Sequence, residues 1–242
     1  MNDTFRAIGG ALRRALPILF TARVIGLATL PLLVAALVWT AIAVAAWSPL
    51  TDAIARLIGG KADAAALWQR IAADVAAVLV FAALAIATAL VAIAVLTMPV
   101  IVRTVAARHF PGLAAHRGGT FVGSTLNALV ALAVFLPLWL LTLPLLVVPP
   151  LYVAASLALN AWLSQRLFRY DALAEHASAG ELAGVVRERK HRLLLLGLVL
   201  SPLSLVPIVN VIVLPIYAGI AFTELCLSEL AHRRARAVVA DG

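Results

Sequence analysis

Two stretches of this chain carry no ionisable side chain for longer than a bilayer is thick. Val24 to Trp47 is 24 residues long and Val75 to Val102 is 28 residues long, and neither holds an Asp, Glu, Lys, Arg or His. An α-helix needs only about 20 apolar residues to cross a hydrocarbon core of ~30 Å. Lipid offers backbone amides no partner, so helix is the form such runs take. The rest of the 242-residue chain leaves no polar block long enough for a soluble core, since 64% of its residues are hydrophobic and only 12% charged. The expectation is an all-α integral membrane protein forming a single membrane domain over residues 1–242. A signal peptide has an apolar region of only ~7–15 residues, so the first run reads as an uncleaved helix.

The shorter apolar blocks are broken by proline. Phe121 to Leu163 contains Pro137, Pro144 and the Pro149-Pro150 pair, and Leu193 to Leu230 contains Pro202, Pro207 and Pro215. Each proline removes a backbone donor and kinks or ends a helix, so each block predicts a hairpin rather than one rod. The tip of the first falls near Val147 to Leu151. Its second arm, Leu151 to Leu163, has 13 residues before Gln165 and Arg166, short of a full crossing. The architecture read from the chain is therefore two long transmembrane helices (24–47 and 75–102) plus two Pro-broken hairpins (121–163 and 193–230). That gives four to six membrane segments. An N-terminal amphipathic helix over 5–20 would lie in the interface on Phe5, Ile8, Leu12, Leu16 and Leu19, with Arg6, Arg13 and Arg14 on its other face. The polar stretch 166–192, helical around Glu181 to Lys190, would sit in water or at headgroups.

A net charge of +8 does not read as nucleic-acid binding, because the basic residues fall in short clusters between apolar runs. Those clusters are topology signals. Four arginines lie before residue 24, three between Arg103 and Arg117, six basic residues between Arg166 and Arg192 and three between Arg233 and Arg236. If the later blocks are hairpins, all fall on one side, which places both termini in the cytoplasm. The segment Ser48 to Asp74, with Gly59-Gly60 as its turn, and both hairpin tips then face the opposite side. The one cysteine, Cys226, reads as a buried thiol. His109 and His116 lack a third ligand and read as solvated, so neither metal nor cofactor is expected. No nucleotide-binding, serine-hydrolase or zinc-protease motif occurs in the sequence, so catalysis is not expected.

Leu205-Val206-Pro207-Ile208-Val209-Asn210 and Leu214-Pro215, followed by Ala218 and Gly219, together with Leu30-Pro31-Leu32-Leu33 and the basic run Arg187 to Arg192, resemble the CysZ and etoposide-induced protein 2.4 domain family. The Pro-x-x-Asn-x4-Pro spacing is the most specific part. The resemblance implies two long transmembrane helices with hairpins that enter the membrane part-way. For bacterial members it implies sulfate uptake across the inner membrane. Sulfate transporters of the family carry Gly-Leu-Arg-Arg before the Pro-Leu-Leu of the first span, and the matching stretch here is Arg23-Val24-Ile25-Gly26-Leu27, with one arginine.

These readings nominate residues. Arg23 and the free N–H groups around Gly26 could hold a small anion at a helix N-terminus, or Arg23 could be a positive-inside anchor. Asn210, between Pro207 and Pro215 at the second tip, could line a path with its amide or cap a turn. Glu224 is a carboxylate in an apolar run and so a functional candidate, unless it pairs with an arginine from Arg187 to Arg192. Asn127 and Asn160 could bond across the first hairpin, and Gly119 and Gly123 permit close helix approach. The functional expectation is a small-anion permease or channel, sulfate being the implied permeant. The alternative is a membrane scaffold with no permeant. Expected partners are membrane lipids, further copies in a homo-oligomer and a small anion.

Overall fold

The computed structural model describes residues 2–58, 63–116, 118–206 and 209–241. Gly59-Gly60, Arg117 and Pro207 lie outside the described residues. Every regular element among them is helical: α1 Asn2–Leu19, α2 Ala22–Ile58, α3 Asp63–His109, α4 Phe121–Thr142, α5 Pro149–Ala174, α6 Ala179–Leu200 and α7 Leu214–Asp241. Short 3₁₀ turns follow α4 and α6, and a π turn at Val209–Val213 leads into α7. The chain is an all-α membrane protein. Among the described residues, three helical stretches are long and apolar enough to cross a bilayer: Val24–Ile54, Val122–Val147 and Leu214–Val239. The chain forms two compact units, Gly26–Leu96 and, separately, Met1–Ile25 with Thr97–Gly242.

In the unit Gly26–Leu96, α2 and α3 meet through Trp39 and Phe81, whose ring centroids are 6.2 Å apart, and Trp39 Nε1 donates to Thr88 Oγ1 at 3.1 Å. Leu30, Leu33, Leu37, Val44 and Leu79 are left exposed, as a lipid-facing surface requires. The helices run on through the polar segment expected after Trp47, so Ser48 to Ile58 extends α2 and Asp63 to Asp74 opens α3. Pro31 and Pro49 sit inside α2 without ending it.

In the other unit α7 is the hub. The window around Val122–Val147 is only 6% buried, whereas that around Leu214–Val239 is 72% buried, so α7 faces protein rather than lipid. Its Ile220, Phe222, Leu225, Leu227 and Leu230 are fully buried among α1, α5 and α6, and Phe222 stacks on Phe168 of α5 at 5.6 Å.

Helix α1, expected only to lie in the interface, also docks on α7. Ile8, Ala11, Ala15 and Ile18 are buried, while Phe5 and Leu16 are exposed. Two alanines at the seam let the backbones approach, and the bulky side chains are left for lipid. The first hairpin turns at Val148, where Pro149 and Pro150 fill the first helical positions of α5, the one place proline costs a helix nothing. Gly119 and Gly123 do mark close approaches, onto Ala174 and Tyr170 of α5. Gly197 of α6 lies so near α5 that a Cβ would stand 2.6 Å from the Ala161 carbonyl. Residues 166–192 are divided between the end of α5 and the start of α6, joined by a turn in which Ser178 and Glu181 form a capping box.

Candidate functional site

Polar side chains in the larger unit gather at two places. The first is the broken tip of the α6–α7 hairpin. Pro202 has no N–H to continue the α6 ladder, so the chain tightens into a 3₁₀ turn over Ser201–Leu205. The hydroxyls there turn back on the backbone, Ser201 donating to the Leu198 carbonyl at 2.9 Å and Ser204 to the Ser201 carbonyl at 2.6 Å. Beside this turn lies a cleft of about 60 Å³, lined on its polar side by Asn160 and Ser164 of α5, Ser201, Ser204 and Asn210. A water needs about 10–15 Å³ of such space, so the cleft has room for a few waters. Asn160 and Ser164 are one turn apart and project together. The amides of Asn160 and Asn210 have no hydrogen-bond partner among the described residues, while the Asn210 N–H donates to the Val206 carbonyl at 2.8 Å. Asn210 is thus one of the polar residues lining the cleft.

The second place is the charged end of the same bundle. Glu224, fully buried in α7, is gripped by Arg14 of α1 at 2.9 Å and by the Nδ1 of His109 at the end of α3. The arginine expected from Arg187 to Arg192 goes instead to Glu229, one turn and a half further on, which takes Arg189 at 3.0 Å and Arg192 at 2.5 Å. A carboxylate at position 224 faces α1 and α3, whereas position 229 faces α6; the 3.6-residue period, invisible to a count along the chain, decides the partner. His109 is accordingly no solvated histidine. Arg234 ties three segments together, bonding Glu181 at 2.8 Å, the Ala114 carbonyl at 2.9 Å and the His176 carbonyl at 2.7 Å. Those bonds hold the Glu181 carboxyl well below the ordinary glutamate range. Burial lowers the His176 imidazole, against the raising effect of Glu175. Arg233 pairs with Glu188 at 2.5 Å and Arg103 with Glu175 at 3.0 Å.

Of the nominated residues, Asn210 and the half-buried Pro215 belong to the tip, and Glu224 lies 10 residues beyond Leu214, about 15 Å along the helix. The structure therefore does not bring Glu224 to the cleft. Arg23 sits in the first turn of α2, its side chain outside the described residues, and Gly26 is exposed. Asn127 donates across the first hairpin to the Arg166 carbonyl at 3.0 Å, not to Asn160. No cluster of metal-ligating side chains occurs among the described residues.

Over residues 11–215 the chain matches the family model described as sulfate transporter CysZ/etoposide-induced protein 2.4. It belongs to this family. The match takes in α2, both hairpin tips and the cleft, and stops at the second residue of α7. No curated protein and no solved structure matches the chain. Membership makes a transporter-like membrane protein of it, and of the residues that carry the resemblance, Asn210, Leu214 and Ala218 line the cleft. Sequence reasoning missed the hydroxyls of Ser164, Ser201 and Ser204 there; the pair of serines flanking Pro202 at a predicted helix break was the available sign.

Proposed function

We propose that the protein is a small-anion permease of the bacterial inner membrane, with sulfate the first permeant to test and both termini in the cytoplasm. The observation that carries this reading is the cleft at the broken α6–α7 tip, where two amides and three hydroxyls converge beside two interrupted helix ends. Among the described residues the Asn160 and Asn210 amides and the Ser164 hydroxyl are the donors left free there, those of Ser201 and Ser204 being spent on backbone carbonyls. Neutral donors of this kind can replace part of an ion's hydration shell without trapping it behind a full charge, as conduction requires. Family membership supports a small anion such as sulfate as the permeant class. Further copies of the chain packing on the exposed apolar faces belong to the same proposal, as does an anion approaching by way of Arg23 and Gly26. The test is uptake of radiolabelled sulfate into proteoliposomes, set against empty liposomes and the Asn210→Ala and Arg23→Ala variants. Uptake in the native protein that falls in a folded Asn210→Ala variant is the expected result. No uptake above empty liposomes refutes the permease and leaves a scaffold without a permeant.

A further inference from the structure

The five glutamates of the larger unit, Glu175, Glu181, Glu188, Glu224 and Glu229, are each paired with a cation, and the half-buried arginines follow a rule with two exceptions. Arg189, Arg192, Arg233 and Arg234 each stand against a glutamate. Arg166 and Arg169, equally half-buried on α5, make no ion pair among the described residues. They are three residues apart, which on a helix makes them neighbours on one surface. Arg169 reaches only the Gln165 amide oxygen, at 3.0 Å, and that glutamine is itself fully buried. Arg166 lies 5.8 Å over the Trp162 ring, and its Nε is buried with no hydrogen-bond partner. The nearest acid along the helix, Asp171, is turned to Ser124. Two guanidiniums brought together in partial burial repel one another and lose hydration. An arrangement of this kind costs stability unless a counter-charge completes it.

We propose that Arg166 and Arg169 form a binding site for a tetrahedral oxyanion, occupied by a free dianion of the sulfate class. Each guanidinium presents a planar fork of donors matched to two oxygens of such an ion, and two positive charges match its two negative ones. The site deepens the permease reading and rests on it for the identity of the anion. Its place just past the apolar arm of α5 gives a lipid phosphodiester the same chemistry, so the test separates the two.

Purified full-length protein in phosphatidylcholine nanodiscs is titrated with sulfate at constant ionic strength, with chloride as the balancing salt, and binding is read both by calorimetry and by thermal stabilisation. Arg166→Gln, Arg169→Gln and the exposed control Arg187→Gln are compared. The native protein and the control are expected to bind sulfate, and each of the two α5 variants to bind at least about tenfold more weakly. Where a Gln variant fails to fold, Arg→Lys at the same position keeps the charge, removes the fork and is expected to weaken binding in the same direction. Equal sulfate affinity in all folded variants, or no sulfate binding by the native protein, overturns the site. Stabilisation by added phosphatidylglycerol alone, with sulfate inert, overturns the free dianion in favour of a headgroup. Sulfate binding without proteoliposome uptake would sustain the site and sink the permease; uptake at the native rate in both α5 variants would do the reverse.

Discussion

Replacing Arg14 by Met isolates the cost of a buried charge. Glu224 is fully buried and its partners are Arg14 and His109, so the substitution leaves a carboxylate in the core of α7 with one imidazole beside it. Breaking a buried pair from one side costs roughly 3–5 kcal/mol. The Arg14 side chain is 43% exposed, so water already weakens the pair and the low end, about 3 kcal/mol, is the expected loss. For a chain of this size each kcal/mol moves the melting temperature by about 2–4 °C, giving a fall of about 6–12 °C. Arg14→Met keeps a long apolar stem, so the α1 seam at Ile8, Ala11, Ala15 and Ile18 and the Tyr217 hydroxyl's bond to the Leu12 carbonyl at 3.1 Å remain. Adding Glu224→Leu removes the stranded charge, and the double variant is expected to regain most of the loss, because apolar replacement of a whole buried pair is often neutral or stabilising. The assay is thermal unfolding of the purified protein in one detergent, followed by tryptophan fluorescence, for the native, two single and double variants. A single Arg14→Met variant melting within about 2 °C of native, or a double variant no more stable than the weaker single, would refute the buried-charge account.

Two further perturbations follow from the packing and the titratable groups. Gly197→Ala puts a methyl against the Ala161 carbonyl at 2.6 Å and is expected to cost about 1–3 kcal/mol by separating α5 from α6, whereas Gly9→Ala, with nothing within 4 Å, is expected to gain about 0.5–1 kcal/mol from helix propensity; melting temperatures of opposite shift check the pair. Both His176 and Glu181 are depressed in the fold, so each binds protons less readily than in the unfolded chain. The stability each contributes is full above its unfolded value, near 6.5 for histidine and 4.3 for glutamate, and is lost as pH falls. Melting temperature is therefore expected to drop from pH 7 to pH 5, first through His176, and a His176→Gln variant to show a flatter profile over that interval.

Which helices exist was legible from the chain, and which faces they pack was not. Charge-free runs carry their meaning locally, since the bilayer's thickness acts on any sequence alike, whereas prolines end a helix at some positions and are carried inside one at others, as Pro31, Pro49, Pro99 and Pro137 are. The turn at Val148 and the break at Pro202 lie where the prolines predict them. In a membrane protein, however, apolar residues face both lipid and core, so hydropathy offers no contrast between the two. On α1 Ile8, Ala11, Ala15 and Ile18 went inward and Phe5 and Leu16 outward, a division that the interfacial reading of the helix did not contain because it foresaw no protein partner for α1. Ion-pair partners were illegible for another reason. Glu224 and Glu229 are five residues apart and choose different helices, because half a turn of rotation points them at different neighbours. Asn210 was nominated from its spacing, but its cleft partners Asn160 and Ser164 come from α5, 50 and 46 residues away.

The two ends of the larger unit differ in how firmly they are tied. Among the described residues its ion pairs involve Arg14 near the end of α1, Arg103 and His109 near the end of α3, His116 beyond it, Glu175 just past α5, residues 181–192 of α6 and residues 224–234 from the middle of α7 onward. Both hairpin tips are the opposite ends of these same helices, so none of the charged ties reaches them. Around the first tip, residues 143–151 include no buried side chain, and around the second Pro202, Leu203, Leu205 and Val206 are exposed. Local opening occurs where buried contacts are few and backbone bonds are short-range. Any rearrangement that widens the Asn210 cleft is therefore least costly at the tips, pivoting on a charged end held by buried Glu224 and Glu229. Weakening that end with Arg14→Met should loosen the pivot and lower stability, while Asn210→Ala should alter flux with stability intact. On the proposed permease reading the two effects separate by position, Asn210 lying in the turn before α7 and Arg14's partner Glu224 within that helix.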